Sequence, residues 1–398
     1  MSNIKNQSIL QRILIGKNHK SLGLKDLDMP LLFVTISLVF FGIIMITSVS
    51  LPLTSGSFSM TLSHIQKIFI ASIIALIVFR IPLGFWQRNS IYLLLISLIL
   101  LVLVFIPYIG REINGAYRWI RILGFSFQPS ELIKFSLIIY IYSYCIRKYD
   151  EFREEWLGFF KPVFLVTLSI LLILLEPDLG SSVVIFTVCF SILFIAGAPL
   201  KHLLSIFFVG LFTFIGLIFT ASYRIKRILG YLDPWNNEFS EQLRTSLSAI
   251  SNGQWFGVGM GNSQMKEGFL SDAQTDFIFA IITEELGIIF SLLLISAFSY
   301  LVFRCFMIGR IARQNDHIFG YLVSYGTGVL IALHVFINIG VSIGLLPTKG
   351  ITLPLVSFGG SNLMLMFVLI ALVQKIKIEI NFSNKISCLL YTSDAADE

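Results

Sequence analysis

Charge is what this chain has least of. Asp, Glu, Lys and Arg make up 13% of its 398 residues, against roughly 25% in a soluble domain. A hydrated globular surface cannot be built from so little, so an ordinary soluble core is excluded. Cysteine is scarce as well. Cys145, Cys189 and Cys305 sit in or beside apolar runs and Cys388 lies near the end, none at metal or redox spacing. That excludes a disulfide framework and leaves small core residues. No small-residue cleavage site follows the first apolar run, so that run reads as an anchor rather than a signal peptide. Internal repeats are absent. The Gly-rich GVGMGNS at 257–263 lacks the strand–helix setting of a dinucleotide fingerprint and reads instead as a flexible loop near a polar ligand.

What is present is hydrophobic length. The chain is 56% hydrophobic, and runs long enough to cross a bilayer recur throughout. The expected fold is an all-α polytopic membrane protein with about ten spans: 30–49, 68–85, 91–108, 130–146, 160–175, 181–198, 203–222, 276–307, 319–345 and 353–373. Segments between alternate spans then carry eighteen Lys or Arg on one side and ten on the other, with Lys134 inside a span. The richer side is cytoplasmic by the positive-inside rule. This puts both termini inside and a large extracytoplasmic loop, 223–275, between the seventh and eighth spans. The layout is a cytoplasmic segment 1–28, a membrane domain 29–375 and a cytoplasmic segment 376–387. The tail 388–398, CLLYTSDAADE, shares no pattern with the rest. It can be back-translated as a sequencing adapter read in frame and is expected to be non-native.

The ten outside cations cluster instead of scattering, and clustering against the topological rule asks for a function such as binding an anion. Arg224, Lys226 and Arg227 stand together in YRIKRILGYLDPW; they suit phosphate oxygens or anionic lipid head groups. Arg118 and Arg121 flank Trp119 in NGAYRWIRI. In QPSELIK, Glu131 and Lys134 share a helical face and form a candidate ion pair. EPDLGSS, 176–182, is a tight turn with two carboxylates. In SDAQTDFIFAIITEELG, Asp276 either caps a helix or serves as a general base or metal ligand facing a wet cavity. Glu284 and Glu285 follow two to three turns deeper, and at least one should turn inward and meet a cation. Finally, LLPTKGITLPLVSFGGSN breaks its hydrophobic surroundings with Pro347, Gly350, Pro354, Gly359 and Gly360. Such a break suits a cavity lining or close helix packing. Lys349 is its one charge.

In this order, NGAYRW…FQPSE, EPDLGS, YRIKRILGYLDPW, GVGMGNS, TDFIFAIITEELG and LLPTKGITLPLVSFGGS resemble the SEDS family of cell-wall glycosyltransferases over nearly the whole chain before the tail. The last motif is closer to the family's cell-division branch than to its elongation branch. The resemblance implies inverting polymerisation of lipid II, a disaccharide-pentapeptide on undecaprenyl pyrophosphate, at the outer face of the bacterial cytoplasmic membrane, at the septum. It implies an essential Asp276, a Glu131–Lys134 intramembrane pair, and as partners a class B penicillin-binding protein (a transpeptidase) and other division proteins. Arg118, Arg121, Arg224 and Lys349 are the candidates for binding pyrophosphate, with Ser357, Gly359 and Gly360 as further substrate-binding positions. Asp276 takes a proton or holds a divalent cation, Mg2+ or Mn2+. A lipid II transporter and a non-catalytic scaffold for the transpeptidase are the rival readings. The chain departs from the family in having Asp272-Ala273-Gln274 where Glu-Ala-His is common, a shorter NNEFSEQL after LDPW, and Asn362 where Ser closes GGSS.

Overall fold

The computed structural model describes residues 26–394 apart from 55, 114–115, 123–124, 221 and 267; side chains beyond 383 are not described. The basic N-terminal segment through residue 25 and the last four residues of the tail lie outside the described residues.

A helix overlaps each of the ten expected stretches, the last beginning only at Gly360. These are α1 (Met29–Leu53), α2 (Ser59–Arg80), α4 (Ser90–Leu103), α5 (Pro129–Arg147), α7 (Trp156–Leu175), α8 (Leu179–Ile195), α9 (Leu200–Phe219), α12 (Ile278–Gln314), α13 (Ile318–Ser342) and α14 (Gly360–Asp394). Short helices α3 (Leu83–Arg88), α6 (Tyr149–Glu154), α10 (Ser222–Leu232) and α11 (Glu241–Gly253) complete the described set. Among the described residues six helices, α1, α2, α7, α9, α12 and α13, are long and apolar enough to cross a membrane, and α4 and α8 are shorter apolar helices. α1 shows why such a helix begins where it does. Asp28 accepts a hydrogen bond from the Leu31 amide at 3.0 Å, and Pro30 occupies the first turn, where a missing N–H costs nothing.

α5 is the centre of the bundle: from Pro129 to Cys145 all but Leu132 is buried. α9 lies at the edge, with only His202 and Leu203 buried. A central helix cannot hide a charge in water, so Glu131 and Lys134 pair with each other at 2.7 Å. Cys145, Cys189 and Cys305 are buried thiols.

Two features depart from the sequence reading. The 110–127 stretch, expected as a loop in an all-α chain, folds into a three-stranded antiparallel sheet: β1 (Gly110–Ile113), β2 (Ala116–Ile122) and β3 (Phe125–Phe127). Alternation of Ala116 and Ile120, both buried, with exposed Tyr117 and Arg121 gives β2 its period of two. The second departure is in α12. It does not begin a straight span at Asp276, because Gly287, at φ +81°, breaks it into an upper piece, 278–286, and a long piece, 288–314. The long piece alone is about 40 Å at 1.5 Å per residue, enough to cross a bilayer.

Candidate active site

The sheet, the 223–275 segment, the α7–α8 turn and the 343–359 segment share one end of the bundle, the upper end. Arg118 donates to the Glu176 and Pro177 carbonyls, Arg227 to Thr348 O at 3.4 Å and Tyr231 to Leu345 O at 3.0 Å. Asp276 lies among these elements.

A tight turn aims Asp276. The Thr275, Asp276 and Phe277 amides all reach back to Asp272 O, and Asp272 itself takes a left-handed φ of +58°. The capping role is not taken. α12 begins at Ile278 with Phe277 before it, and no side chain caps that end. The broken motif 343–359 holds this turn from behind. Asn338 donates to both Asp276 O and Ile351 O, at 2.8 and 2.7 Å. Ser357 donates to Thr275 O at 2.6 Å and accepts from the Leu353 amide at 2.8 Å. The Phe358 amide donates to Gln274 O. Gly350 gives the carboxylate its room: a Cβ there would lie 3.0 Å from Asp276 Oδ2. Pro347, Pro354 and the glycines thus serve one purpose, an irregular backbone wrapped around one carboxylate.

Burial pushes the Asp276 carboxyl up to about 7, and the nearby Asp272 adds to this, while Thr275 and Arg227 oppose it. Burial pushes the Lys349 ammonium down to about 8, helped by Arg227 and Arg224 and opposed by Asp178. Arg227 and Asp178 therefore act on both Asp276 and Lys349. Glu176 stands at the end of α7, its carboxyl raised to about 8 by burial and Asp178. Both of its oxygens are buried without a hydrogen-bond partner.

The other sequence candidates fall in different places. Arg118 spends its guanidinium on the carbonyls that end α7. Arg121 points to the opposite face of β2 and is exposed. Arg224, buried, donates to Leu217 O and Thr220 Oγ1 at the end of α9, and its charge still reaches Lys349. Ser357 works through the backbone of the Asp276 turn. Gly359 and Gly360 lead into α14, Gly359 beside Thr352 and Gly360 beside Lys67. Arg227 belongs to the basic triplet that suits phosphate oxygens, and Asp178 to the EPDLGSS turn; only the folding of 343–359 against α10 and α8 joins them to Asp276. Lys67, counted as a loop cation, lies inside α2.

Glu284 and Glu285 are both turned inward and buried. Glu285 pairs with Lys266 at 2.6 Å and accepts from Ser48 of α1. Glu284 accepts from Ser263 and, at 3.4 Å, from Asn252. They are not simply deeper than Asp276, because the Gly287 break redirects this piece of α12. Backbone bonds dock the upper segment into the break: Val258 to Glu284 O, Gly259 to Glu285 O and Ile288 to Gln254 O. A Cβ on Gly287 would lie 2.3 Å from Trp255 O.

Among the described residues Asp276 is not part of a protein cage of three metal ligands: no three His, Cys, Asp or Glu side chains converge as ligands.

Residues 29–381 match the family described as "Cell cycle protein", that of FtsW, RodA and SpoVE. The chain is 40% identical over 91% of its length to a probable peptidoglycan glycosyltransferase FtsW of Saccharophagus degradans, covering 95% of that protein. It is 38% identical to the probable peptidoglycan glycosyltransferase FtsW of Buchnera aphidicola subsp. Baizongia pistaciae, over 91% of this chain and 97% of that one. Among solved structures it superposes with TM-score 0.72 and 26% identity on a chain of a peptidoglycan synthase complex that coordinates polymerization and crosslinking, covering 89% of this chain and 98% of that one. The Thermus thermophilus rod shape determining protein RodA shares the fold, with TM-score 0.66, 24% identity, and coverage of 88% and 96%.

Proposed function

The chain belongs to the FtsW/RodA/SpoVE family of cell cycle proteins, and from that premise we propose that it is a multi-pass peptidoglycan glycosyltransferase of cell division. Its substrate is lipid II, polymerised at the upper end of the bundle, which faces outward from the bacterial cytoplasmic membrane at the septum. The ten helices are ten spans with both ends of the chain cytoplasmic; the asymmetry of Lys and Arg supports this. A class B penicillin-binding protein is the partner, supported by the likeness to a synthase complex that both polymerises and crosslinks.

The observation that carries the reading is the Asp276 carboxyl, poised near neutrality in the field of Arg227, which also acts on Lys349. In the reaction an acceptor sugar hydroxyl attacks the donor's anomeric carbon from the face opposite the leaving group. The new C–O bond forms as the old bond to pyrophosphate breaks. The hydroxyl proton passes to Asp276, and the electron pair leaves with the pyrophosphate. A carboxyl titrating near 7 is ionised often enough to act and basic enough to take the proton. Lys349 and Arg227, with Arg224 behind them, neutralise the leaving charge in a setting where fixed cations outperform water. Among the described residues no three-ligand cage is formed, and no step is assigned to a metal.

The test is polymerisation of lipid II by the purified chain, alone and with a co-expressed penicillin-binding protein. Asp276→Asn should lose about 10²–10⁴-fold in rate, the usual contribution of a general base. An Asn variant that polymerises at the wild-type rate refutes the assignment.

A further inference from the structure

Lys67 is a cation that this reaction scheme leaves unused. It sits on α2, eight residues past Ser59, about 12 Å along the helix axis. His64, Ala71 and Ala75 form the buried stripe of α2. Leu62, Ile65 and Phe69 are exposed and apolar, the face such a helix turns to lipid. Half-buried Lys67 stands at the border between the two.

The ammonium is held against an aromatic ring. It lies 3.5 Å above the Phe358 ring, and its stem crosses Gly360, where a Cβ would come within 3.2 Å of Lys67 Cδ. Among the described residues no carboxylate pairs with it. Two further polar groups border the same turn without partners. Both ring nitrogens of fully buried His64 are unbonded, with the ring 5.8 Å from Phe358. Asn362 Oδ1 is also buried and unbonded, although its amide nitrogen donates to Thr352. The N-terminus of α14 starts at Gly360, adding unsatisfied N–H groups and a positive dipole end. A cation, a helix N-terminus and the unbonded N–H of a buried imidazole beside a lipid-facing surface call for a phosphate that arrives on a lipid.

We propose that Lys67 is a second anion subsite, which binds the phosphate of the lipid-linked acceptor beside Gly359 and Gly360. This rests on the glycosyltransferase reading. Joining two lipid-linked sugars involves two pyrophosphates, and only one of them leaves. Arg227 acts on both Lys349 and Asp276, where a bond to pyrophosphate breaks. The retained pyrophosphate is a disaccharide away from the attacking hydroxyl and needs a separate cation. Phe358 links the two places, since its amide bonds the Asp276 turn and its ring carries Lys67. Lys67 is thus a positioning residue that touches no reacting atom.

The experiment measures lipid II polymerisation by the full chain in detergent micelles, for wild type, Lys67→Met and Lys67→Arg. Loss of one charge-assisted contact should raise KM for lipid II on the order of tenfold, with kcat within about twofold and Lys67→Arg close to wild type. Should Lys67→Met fail to fold, Lys67→Gln, which keeps a donor without the charge, gives the same comparison. No glycan from wild type would sink the glycosyltransferase reading itself. Glycan from wild type with an unchanged KM in the neutral variants would sink only the Lys67 subsite. A wild-type KM that rises with phosphatidylglycerol in the micelle, while Lys67→Met does not respond, would assign Lys67 to bulk anionic lipid and also overturn the proposal.

Discussion

The roles proposed for Asp276 and Lys349 imply a narrow pH window for the reaction. Desolvation, with Asp272 nearby, pushes the half-buried Asp276 carboxyl up to about 7, and in the proposed reaction it must be ionised to take a proton. Desolvation, with Arg227 nearby, pushes the half-buried Lys349 ammonium down to about 8, and in the proposed reaction it must be charged to hold a leaving pyrophosphate. Activity therefore rises with pH through about 7 and falls through about 8. With those two values, about three-fifths of molecules carry both correct forms at pH 7.5, and about a tenth do at pH 6 or pH 9, so kcat/KM should drop about sixfold on each side. Initial rates at lipid II well below KM, in buffers of constant ionic strength, give this profile for the free enzyme. Lys349→Arg keeps its charge at high pH and should remove the falling limb while leaving the rising one in place. A profile flat from pH 6 to 9, or a falling limb that survives in Lys349→Arg, refutes the reasoning.

Three further outcomes follow from the packing around the site. Ser357→Ala strips a partner from Thr275 O and from the Leu353 amide; about 1–3 kcal/mol of stability should go, and kcat should fall more than lipid II binding does. An unchanged kcat would show that Asp276 needs no such support. Lys266→Met leaves Glu285 charged and buried, a loss of about 3–5 kcal/mol seen as a lower Tm in detergent. Adding Glu285→Leu should recover part of it, and no recovery would mean the pair is not what Lys266 contributes. Gly287→Ala drives a methyl into Trp255 O and strains a left-handed backbone, so the 254–266 stretch should undock and become sensitive to protease. Unaltered proteolysis counts against the docking described.

Much of this architecture is legible in the sequence, because apolar length alone announces a membrane helix. Asp276, Lys349, Glu131 and Lys134 could be picked out because an ionisable group in an apolar run is costly and so conspicuous. Arg118, Arg121 and Arg224 were equally conspicuous, but composition cannot say what a guanidinium touches. Arg118 and Arg224 are spent largely on helix-end carbonyls, and β2 turns Arg121 away. The sheet went unseen because its strands are short and interrupted. Arg227, Asp178 and Lys67 were missed as neighbours of the site for a further reason. Their relation to Asp276 is made by segments more than 40 residues apart in the chain, and no local pattern records such a pairing. The partners of Glu284 and Glu285 were hidden in the same way, behind the break at Gly287.

Asp28 carries a consequence for synthesis. At the lower end of the bundle its amide donates to Gln374 Oε1 at 2.8 Å, its carbonyl accepts from Gln374 Nε2 at 2.9 Å, and its carboxylate pairs with Arg304. Gln374 lies 346 residues further along the chain. At the ribosome's pace of about 5–20 residues per second, the first helix waits roughly 20–70 seconds in the membrane before that partner exists. α2, which packs along α14, waits nearly as long. The bundle is therefore closed by its last helix, and a ribosome that stalls before residue 374 leaves the first helix without its lower fastening.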